Sequence, residues 1–249
     1  MFIGKSDVSR AVRAIMVRAA LIIGGLCLIS GSAIAQAGGD ARVKIYTDTY
    51  RPYVNPAGEV DGSAMRLVRM VVRNMGLTPE FEHIDYGYGY YATRKSSGDL
   101  SFPWLKTAER EKQVLYSVPI YSAQTQFFYN IRFHPGGMAK NALGDKTLGR
   151  VINYSYGEEF DAMLDAAESV GRAKTYASDA EAITGLLAGE VDVLPQLSSV
   201  LMATLQASFA NQSRLIRPID GISAYFPNYV IAPKTRKGEA TIKAFNQSY

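Results

Sequence analysis

The sequence predicts an α/β protein with two similar lobes, each built around an open, largely parallel sheet. Short apolar strands alternate with amphipathic helices along most of the chain, which is the pattern of parallel sheets whose crossover connections are helices. The alternation occurs before and after the β-type run Phe127–Phe133, and a second such run, Ala224–Ala232, lies near the end. Two extended segments that join two lobes predict a hinge, and open sheets bind ligands at the carboxyl ends of their strands.

The first half contains three predicted strands and two predicted helices. Apolar residues recur at helical spacing from Ala64 to Met75, and Gly76 ends that helix. The strands are Arg42–Thr47, Pro79–Ile84 and Asp99–Phe102, and a short helix is predicted at Tyr90–Ser97. Tyr86–Tyr91 (YGYGYY) is interpreted as a loop that either packs its aromatic rings on the lobe or lines a ligand cleft.

The second half repeats this scheme. Strands are predicted at Thr147–Ile152 and Ala173–Tyr176, and helices are predicted to start at Ser155 and Ser178. Each of these serines is followed three residues later by a glutamate, which fits the capping box, where side chain and backbone satisfy each other's hydrogen bonds. The domain prediction places residues 36–128 and 228–249 in the first lobe and residues 129–227 in the second lobe.

Residues 1–35 are interpreted as a secretory signal peptide. Four basic residues precede the apolar run Ala19–Ile29, and Ala33–Ala35 supplies an Ala-x-Ala cleavage site. The run is short for a bilayer span, and an uncleaved anchor is the alternative.

Cys27, the single cysteine of the sequence, lies within this run, so the mature chain is expected to have no disulfide, thiolate ligand or cysteine nucleophile. An exported chain without disulfides suits a bacterial periplasm.

The charge balance gives no argument for nucleic acid or an anionic membrane as a partner. The chain carries 27 basic and 23 acidic residues, which is a net charge of +4. Four of the basic residues and the acidic residue Asp7 lie in the predicted signal peptide. Without that segment 23 basic and 22 acidic residues remain, and the net charge is about +1.

Motifs of enzymes and metal sites are incomplete. Asn153–Gly157 (NYSYG) lacks the first glycine of the G-x-S-x-G nucleophile elbow. That hydrolase layout also needs a histidine after the serine, whereas His83 and His134 both precede it. His83 and Asp85 share a strand face, but no nearby residue completes a metal set. Ser155 is therefore favoured as a helix cap over a nucleophile, and no cofactor is expected.

Arg110 is the local feature that points to a ligand. Thr107 is a natural N-cap, which makes Ala108–Arg110 the first turn of a short helix. A basic side chain is mildly disfavoured there, because the free N–H groups carry a partial positive charge. Arg110 is either a solvated surface residue or, together with the helix start, the receptor of a ligand's anion.

Four segments carry a family resemblance. Tyr46–Tyr53 (YTDTYRPY) is similar to a TD-x-x-Y-x-P-F turn, and Gly58–Gly62 to a G-x-x-x-G helix entry. Thr107–Tyr121 (TAEREKQVLYSVPIY) matches T-x-E-R…V-x-F-S-x-P-x-Y and is the most specific of the four. Leu187–Asp192, followed by Gln196, resembles L-x-x-G-x-x-D. The chain thereby resembles the bacterial family 3 extracellular solute-binding proteins, the periplasmic receptors of polar amino acid ABC importers.

The resemblance implies a type II periplasmic binding protein, with two α/β lobes joined by two crossing strands and a ligand trapped between them. It implies that Arg110 holds the carboxylate of the ligand, that Tyr50 stacks on the ligand from the first lobe, and that Ser155 presents the helix start of the second lobe. The predicted ligand-binding residues are Arg110, Thr107, Trp104, Tyr50, Ser155, Tyr156 and Gln196.

The sequence departs from the family in three places. Leu197 replaces the acid that typically receives the ligand's ammonium group, which weakens the case for an ordinary α-amino acid. Gly62–Arg66 replaces an acidic G-F-D-x-D segment. The chain ends at Tyr249, where relatives usually continue through another helix.

The expected protein is a monomeric periplasmic receptor without catalytic activity. It would capture a small carboxylate-bearing ligand, amino-acid-like or another organic anion, for an inner-membrane ABC permease. One alternative is a ligand-sensing receptor that feeds a signalling partner. The other is a dehydratase-like enzyme on the same scaffold.

Overall fold

The computed structural model describes residues 41–249, and the predicted signal peptide lies outside the described residues. The strands are β1 (Arg42–Thr47), β2 (Thr78–His83), β3 (Leu100–Leu105), β4 (Val114–Tyr116), β5 (Tyr121–Asn130), β6 (Leu148–Val151), β7 (Ala173–Tyr176), β8 (Val193–Leu197) and β9 (Ile216–Pro233). The helices are α1 (Ser63–Asn74), α2 (Tyr86–Lys95), α3 (Ala108–Glu111), α4 (Glu158–Ser169), α5 (Asp179–Ala188), α6 (Ser198–Ser208) and α7 (Arg236–Ser248). Among residues 41–249, no helix combines the length and apolar character needed to cross a membrane.

The strands form one sheet with two parallel ends and an antiparallel middle. β1 is parallel to β2 and β3, and β6 is parallel to β7 and β8. Between these sets lie β9 and β5, which are antiparallel to each other and to β3 and β8. Each parallel set with its helices is one lobe, and β5 and β9 are the two crossing strands that the sequence predicted.

The crossing strands are longer than the β-type runs that indicated them. β9 extends over 18 residues from Ile216, and β5 begins at Tyr121. Because these strands continue from one lobe into the other, the residue numbers at which the lobes divide stay a prediction.

Both lobes contain clusters of buried hydrophobic residues. In the first lobe, Val68 of α1 and Phe245 of α7 are fully buried in a core that includes residues of β1 and β3. In the second lobe, one cluster contains Ile183 of α5 and Leu201 of α6, and another contains Phe160 of α4. The amphipathic spacing predicted for α1 is therefore the spacing of its buried face.

Two predicted helix starts are confirmed. The Thr107 hydroxyl oxygen accepts a hydrogen bond from the Arg110 backbone N–H at 3.2 Å, and α3 begins at the next residue. The Ser178 hydroxyl oxygen accepts from the Glu181 N–H at 3.2 Å, and the Glu181 carboxylate accepts from the Ala177 N–H at 3.2 Å. These caps satisfy N–H groups that have no partner within their helices.

The loop predicted at Tyr86–Tyr91 is wrong, because these residues form the first turns of α2. The Asp85 carboxylate caps this helix by accepting a hydrogen bond from the Tyr88 N–H at 3.0 Å. Gly89 is buried, and a Cβ atom at its position would lie 3.4 Å from Tyr46 Cβ on β1. The glycine that suggested a loop therefore allows the helix to pack closely on the sheet.

The helix start predicted at Ser155 is also wrong. The helix α4 begins at Glu158, and Gly157 is the residue before it. The Ser155 hydroxyl donates to the Asp161 carboxylate at 2.5 Å, and the same carboxylate accepts from the Tyr156 N–H at 2.8 Å. Because Asp161 binds both donors, the segment before α4 is fixed by a side chain of the helix and not by a serine cap.

Candidate ligand-binding cleft

Arg110 lies in a cavity between the two lobes. Its Nη1 donates to the Leu105 carbonyl of the first lobe at 3.0 Å, and its Nη2 donates to the Asn153 carbonyl of the second lobe at 2.9 Å. The guanidinium carbon is 5.0 Å from the ring centroid of Trp104. In the part of the chain that the structure describes, Arg110 forms no ion pair with a carboxylate. Its acceptors are neutral carbonyl groups, and the nearby carboxylates of Glu158 and Asp161 line the wider opening beside it without pairing with it.

An irregularity of β3 positions Trp104 beside Arg110. Pro103 has no N–H to donate to the neighbouring strand, and the pairing of β3 with β9 shifts register between Ser101 and Trp104. The Trp104 indole N–H donates to the Ser101 hydroxyl oxygen at 2.8 Å, and the side chain is only 3% exposed. The indole is therefore held in a fixed orientation under the guanidinium.

Tyrosine rings from both lobes meet in the cleft. Tyr50 and Tyr86 of the first lobe have ring centroids 6.1 Å apart, and Tyr86 lies 4.8 Å from Trp104. Tyr154 of the second lobe lies 5.9 Å from Tyr50 and 5.4 Å from Tyr86. Burial raises the pKa of Tyr50, Tyr86 and Tyr154 well above the usual value, so these side chains are neutral at physiological pH.

The cavity at Arg110 is small. Its volume is about 30 Å³, and a buried water needs roughly 10–15 Å³ on this scale. The lining residues are Tyr50, Tyr86, Pro103, Trp104, Leu105, Arg110, Asn153, Tyr154, Ser155, Leu197 and Asn228. The closed cleft therefore has room for about two waters or a carboxylate group beside Arg110.

Contacts between the lobes hold this closed arrangement. Besides the hydrogen bond from Arg110 to Asn153, the Tyr53 hydroxyl lies 2.9 Å from the Ser199 hydroxyl of α6. Asn153 has a positive φ of 64°, which is uncommon for a residue with a side chain. This backbone conformation occurs at the residue whose carbonyl accepts from Arg110.

The structure brings five of the seven predicted ligand-binding residues to the cleft. Arg110, Trp104, Tyr50 and Ser155 line the small cavity, and Thr107 lines a wider opening of about 850 Å³ on its outer side. The hydroxyl of Ser155 donates to Asp161, and that of Thr107 accepts from the backbone of Arg110. These hydroxyl groups hold the walls of the cleft in the closed structure.

Tyr156 and Gln196 do not line the cavity in this structure, and their part in ligand binding stays a prediction. Tyr156 is 1% exposed in the core of the second lobe, and its hydroxyl oxygen accepts from the Val151 N–H at 2.8 Å. Gln196 is fully buried, and its amide donates to the Asp179 carboxylate at 2.5 Å. Both side chains support residues behind the cleft wall.

Sequence reasoning missed Asp179 and Tyr154, whereas Tyr86 belongs to the segment for which a place in the cleft was one of the two interpretations. Asp179 and Tyr154 follow the parallel strands β7 and β6, so their place at the carboxyl ends of strands was a usable signal. The Asp179 carboxylate accepts from the Tyr154 hydroxyl at 3.2 Å and from Gln196. Burial raises the pKa of Asp179 to about 6 despite these two hydrogen bonds.

A second cavity of about 220 Å³ adjoins the first. Tyr86 and Tyr154 contribute to the walls of both cavities. The second cavity is lined by three carboxylates, those of Asp48, Asp85 and Asp179, and by Arg51, which is paired with Glu59 at 2.6 Å. No group of three or more His, Cys, Asp or Glu residues is arranged to hold a metal ion anywhere in residues 41–249.

The chain is similar to known proteins in its three-dimensional structure. No protein-family model and no curated protein sequence matches the chain. An ancestral arginine-binding protein bound to arginine superposes with a TM-score of 0.69 at 18% identity, over 84% of this chain and 91% of that chain. The arginine-, lysine-, histidine-binding protein ArtJ from Geobacillus stearothermophilus gives 0.66 at 22% identity, over 83% and 88%. A histidine kinase sensor domain with similarity to periplasmic binding proteins gives 0.69 at 16% identity, over 84% and 88%.

The chain has the fold of periplasmic binding proteins. The predicted fold class is thereby confirmed. The two strands that cross between the lobes are β5 and β9. Asn228 of the crossing strand β9 and Leu197 at the end of β8 line the cavity, so one crossing strand contributes to the base of the cleft.

Proposed function

We propose that this protein is a periplasmic receptor that captures a small carboxylate-bearing, amino-acid-like ligand between its lobes and delivers it to an inner-membrane ABC permease. The observation that carries this proposal is the guanidinium of Arg110, which donates to neutral carbonyl groups in an aromatic cleft between the two lobes. Solved structures of the same fold include the arginine-binding protein and ArtJ. We propose that the protein acts as a monomer and has no catalytic activity.

Ligand binding would exchange the neutral acceptors of Arg110 for a charged one. A planar guanidinium grips a carboxylate through two parallel hydrogen bonds, and these bonds are stronger than those to backbone carbonyls. Tyr50 and Trp104 would supply apolar contact area from the first lobe. Because Asn153, Tyr154 and Ser155 belong to the second lobe, a ligand at Arg110 would contact both lobes and favour the closed state.

A thermal-shift screen of the purified protein tests the proposal. We expect at least one small carboxylate, among L-amino acids and organic acids, to raise the melting temperature, since a ligand at 100 times its Kd stabilises the folded state by about 2.7 kcal/mol. Amines without a carboxylate are the matched negative set. Stabilisation by such amines alone would contradict a site organised around Arg110.

Export can be tested independently of the ligand. We expect the protein to be recovered from the periplasm of its bacterial host with cleavage after Ala35, so that mass spectrometry finds Gln36 at the amino terminus. The uncleaved anchor, which is the alternative, leaves the intact Met1 end on a membrane-bound protein.

A sensory receptor is the second candidate function. The similarity of the fold to a histidine kinase sensor domain, with a TM-score of 0.69, supports this second candidate. The ligand chemistry at Arg110 is the same in both cases, and the partner differs. A neighbouring gene for a permease and an ATPase supports uptake, whereas a neighbouring kinase or cyclase supports sensing.

A further inference from the structure

The carboxylate of Asp179 is buried in the cleft without a cationic partner. Its two hydrogen-bond donors are the neutral Tyr154 hydroxyl and the neutral Gln196 amide. In the described residues 41–249, no Lys, Arg or His lies within ion-pair distance of it. A buried charge of this kind is costly unless it is paired or protonated.

An ordinary role at a helix start does not explain this arrangement. Asp179 is the first residue of α5, where an acid interacts favourably with the helix macrodipole. The backbone N–H of the first turn is, however, capped by the Ser178 hydroxyl. Both oxygens of the Asp179 carboxylate are instead bound by side chains that reach the cleft or lie behind it.

The space around Arg110 and the space around Asp179 belong to one cleft. The cavity at Arg110 holds only about two waters, whereas the adjoining cavity at Asp179 has about 220 Å³. Tyr86 and Tyr154 separate the two cavities, and they belong to opposite lobes. An opening of the lobes would therefore part these two rings and join the two spaces.

The two cavities of the cleft are lined by side chains of opposite net charge. Arg110 lines the smaller cavity with hydrogen bonds to neutral carbonyl groups, and Asp179 of the second lobe faces Asp48 of the first lobe in the larger one. Burial and, to a smaller extent, proximity to Asp48 raise the pKa of Asp179, and burial also raises the pKa of Asp48. Two carboxylates that approach across a closing cleft favour a cation between them.

We propose that Asp179 binds a basic nitrogen of the ligand, so that the ligand is a small zwitterion with its carboxylate on Arg110 and its amine or guanidinium in the larger cavity. This inference rests on the proposed function, since it assumes that Arg110 holds the carboxylate. It places the acidic partner of the ligand on α5, and Leu197, at the position where an acid was expected, remains an apolar part of the cleft wall.

Calorimetry with four probes tests the proposal. L-Lysine and 6-aminohexanoate carry a carboxylate and an amine, hexanoate carries the carboxylate alone, and hexylamine carries the amine alone. We expect 6-aminohexanoate to bind on the order of 10- to 100-fold more tightly than hexanoate, which is the range of a charge-assisted hydrogen bond. Asp179→Asn should remove this difference and leave hexanoate binding unchanged. Asp220→Asn, at an exposed residue of β9, controls for the change in net charge.

The outcomes separate this inference from the proposed function. If hexanoate binds as tightly as 6-aminohexanoate and Arg110→Ala abolishes both, the proposed function stands and the role of Asp179 is wrong. If hexylamine binds as tightly as 6-aminohexanoate, or Arg110→Ala changes nothing, the proposed function itself is wrong. Absence of binding by all four probes overturns the assignment of a zwitterionic ligand. The melting temperature of Asp179→Asn shows whether this variant is folded.

A pH series on the unmodified protein gives a readout that needs no variant. The pKa of Asp179 in the ligand-free protein is about 6, so its carboxylate is charged at pH 7.5 and largely neutral at pH 5. We expect the affinity for 6-aminohexanoate to fall about tenfold between these values, while that for hexanoate changes less. Besides Arg51 and the tyrosines Tyr86 and Tyr154, the titratable groups near this cavity are Asp48, Asp85 and His83. An unchanged pH dependence in Asp179→Asn would assign the effect to these groups and overturn the proposal.

Discussion

Substitution of Arg110 by alanine is expected to abolish carboxylate binding while the protein remains folded. The side chain would contribute two charge-assisted hydrogen bonds to a carboxylate, each worth about 1.5–3 kcal/mol. Their loss corresponds to an affinity reduced on the order of 100- to 10,000-fold, measured by calorimetry with any carboxylate that stabilises the unmodified protein. In the ligand-free protein the substitution removes hydrogen bonds to two carbonyl groups, one of which belongs to the exposed residue Asn153 and remains accessible to water.

Two further variants show whether the effect comes from the geometry of Arg110. Lys112→Ala removes a positive charge two residues away, at an exposed position that does not line the cleft, and should leave affinity nearly unchanged. Arg110→Lys keeps the charge but loses the planar pair of donors, so its affinity should lie between those of the unmodified protein and Arg110→Ala. Equal affinities for Arg110→Ala and Lys112→Ala would mean that the guanidinium makes no direct contact with the ligand.

The sequence was sufficient wherever the determining interaction is local. The cap of α3 involves Thr107 and the N–H of Arg110, three residues away, and the same spacing marks Ser178 and Glu181. Alternation of strands and helices likewise predicts parallel sheets, because it reflects the period of burial along each element. These features depend on neighbours in the chain, which a sequence pattern can represent.

The wrong predictions of secondary structure occur where tertiary contacts override local sequence patterns. Ser155 and Glu158 have the spacing of a capping box, but Asp161 binds the Ser155 hydroxyl and the Tyr156 N–H more favourably in the folded lobe. The glycines of Tyr86–Tyr91 lower helix propensity, yet close packing of Gly89 on β1 stabilises a helix. Neither contact can be read from spacing alone.

The cleft residues show the same division. Arg110 was identifiable because it is an unusual residue at a predicted helix start. Asp179 looked ordinary, since an acid in the first turn of a helix is common, and only its burial between Tyr154 and Gln196 distinguishes it. The sequence therefore shows the residue type at a site, whereas the burial of that residue depends on the tertiary contacts around it.

Substitution of Gly157 by alanine is expected to have the largest effect on stability. Gly157 has a φ of 100° and a ψ of 150°, a conformation that is essentially restricted to glycine and costs other residues about 1–3 kcal/mol. A Cβ atom there would also lie 2.1 Å from the Phe226 ring of β9, and overpacking of this kind costs about 1–3 kcal/mol. We therefore expect the free energy of unfolding, measured by urea denaturation, to fall by about 2–5 kcal/mol.

Two other glycines separate the backbone cost from the steric cost. Gly171 has a φ of 71°, and no atom lies within 4 Å of the point that a Cβ would occupy, so Gly171→Ala should show the backbone cost alone. Gly136 has open space and no positive φ, so Gly136→Ala should be neutral or slightly stabilising. If Gly157→Ala unfolds at the same urea concentration as Gly136→Ala, the packing of the hinge strand β9 on the start of α4 is wrong. Because that start carries Ser155 into the cleft, a destabilised Gly157→Ala that remains folded should also bind carboxylates more weakly.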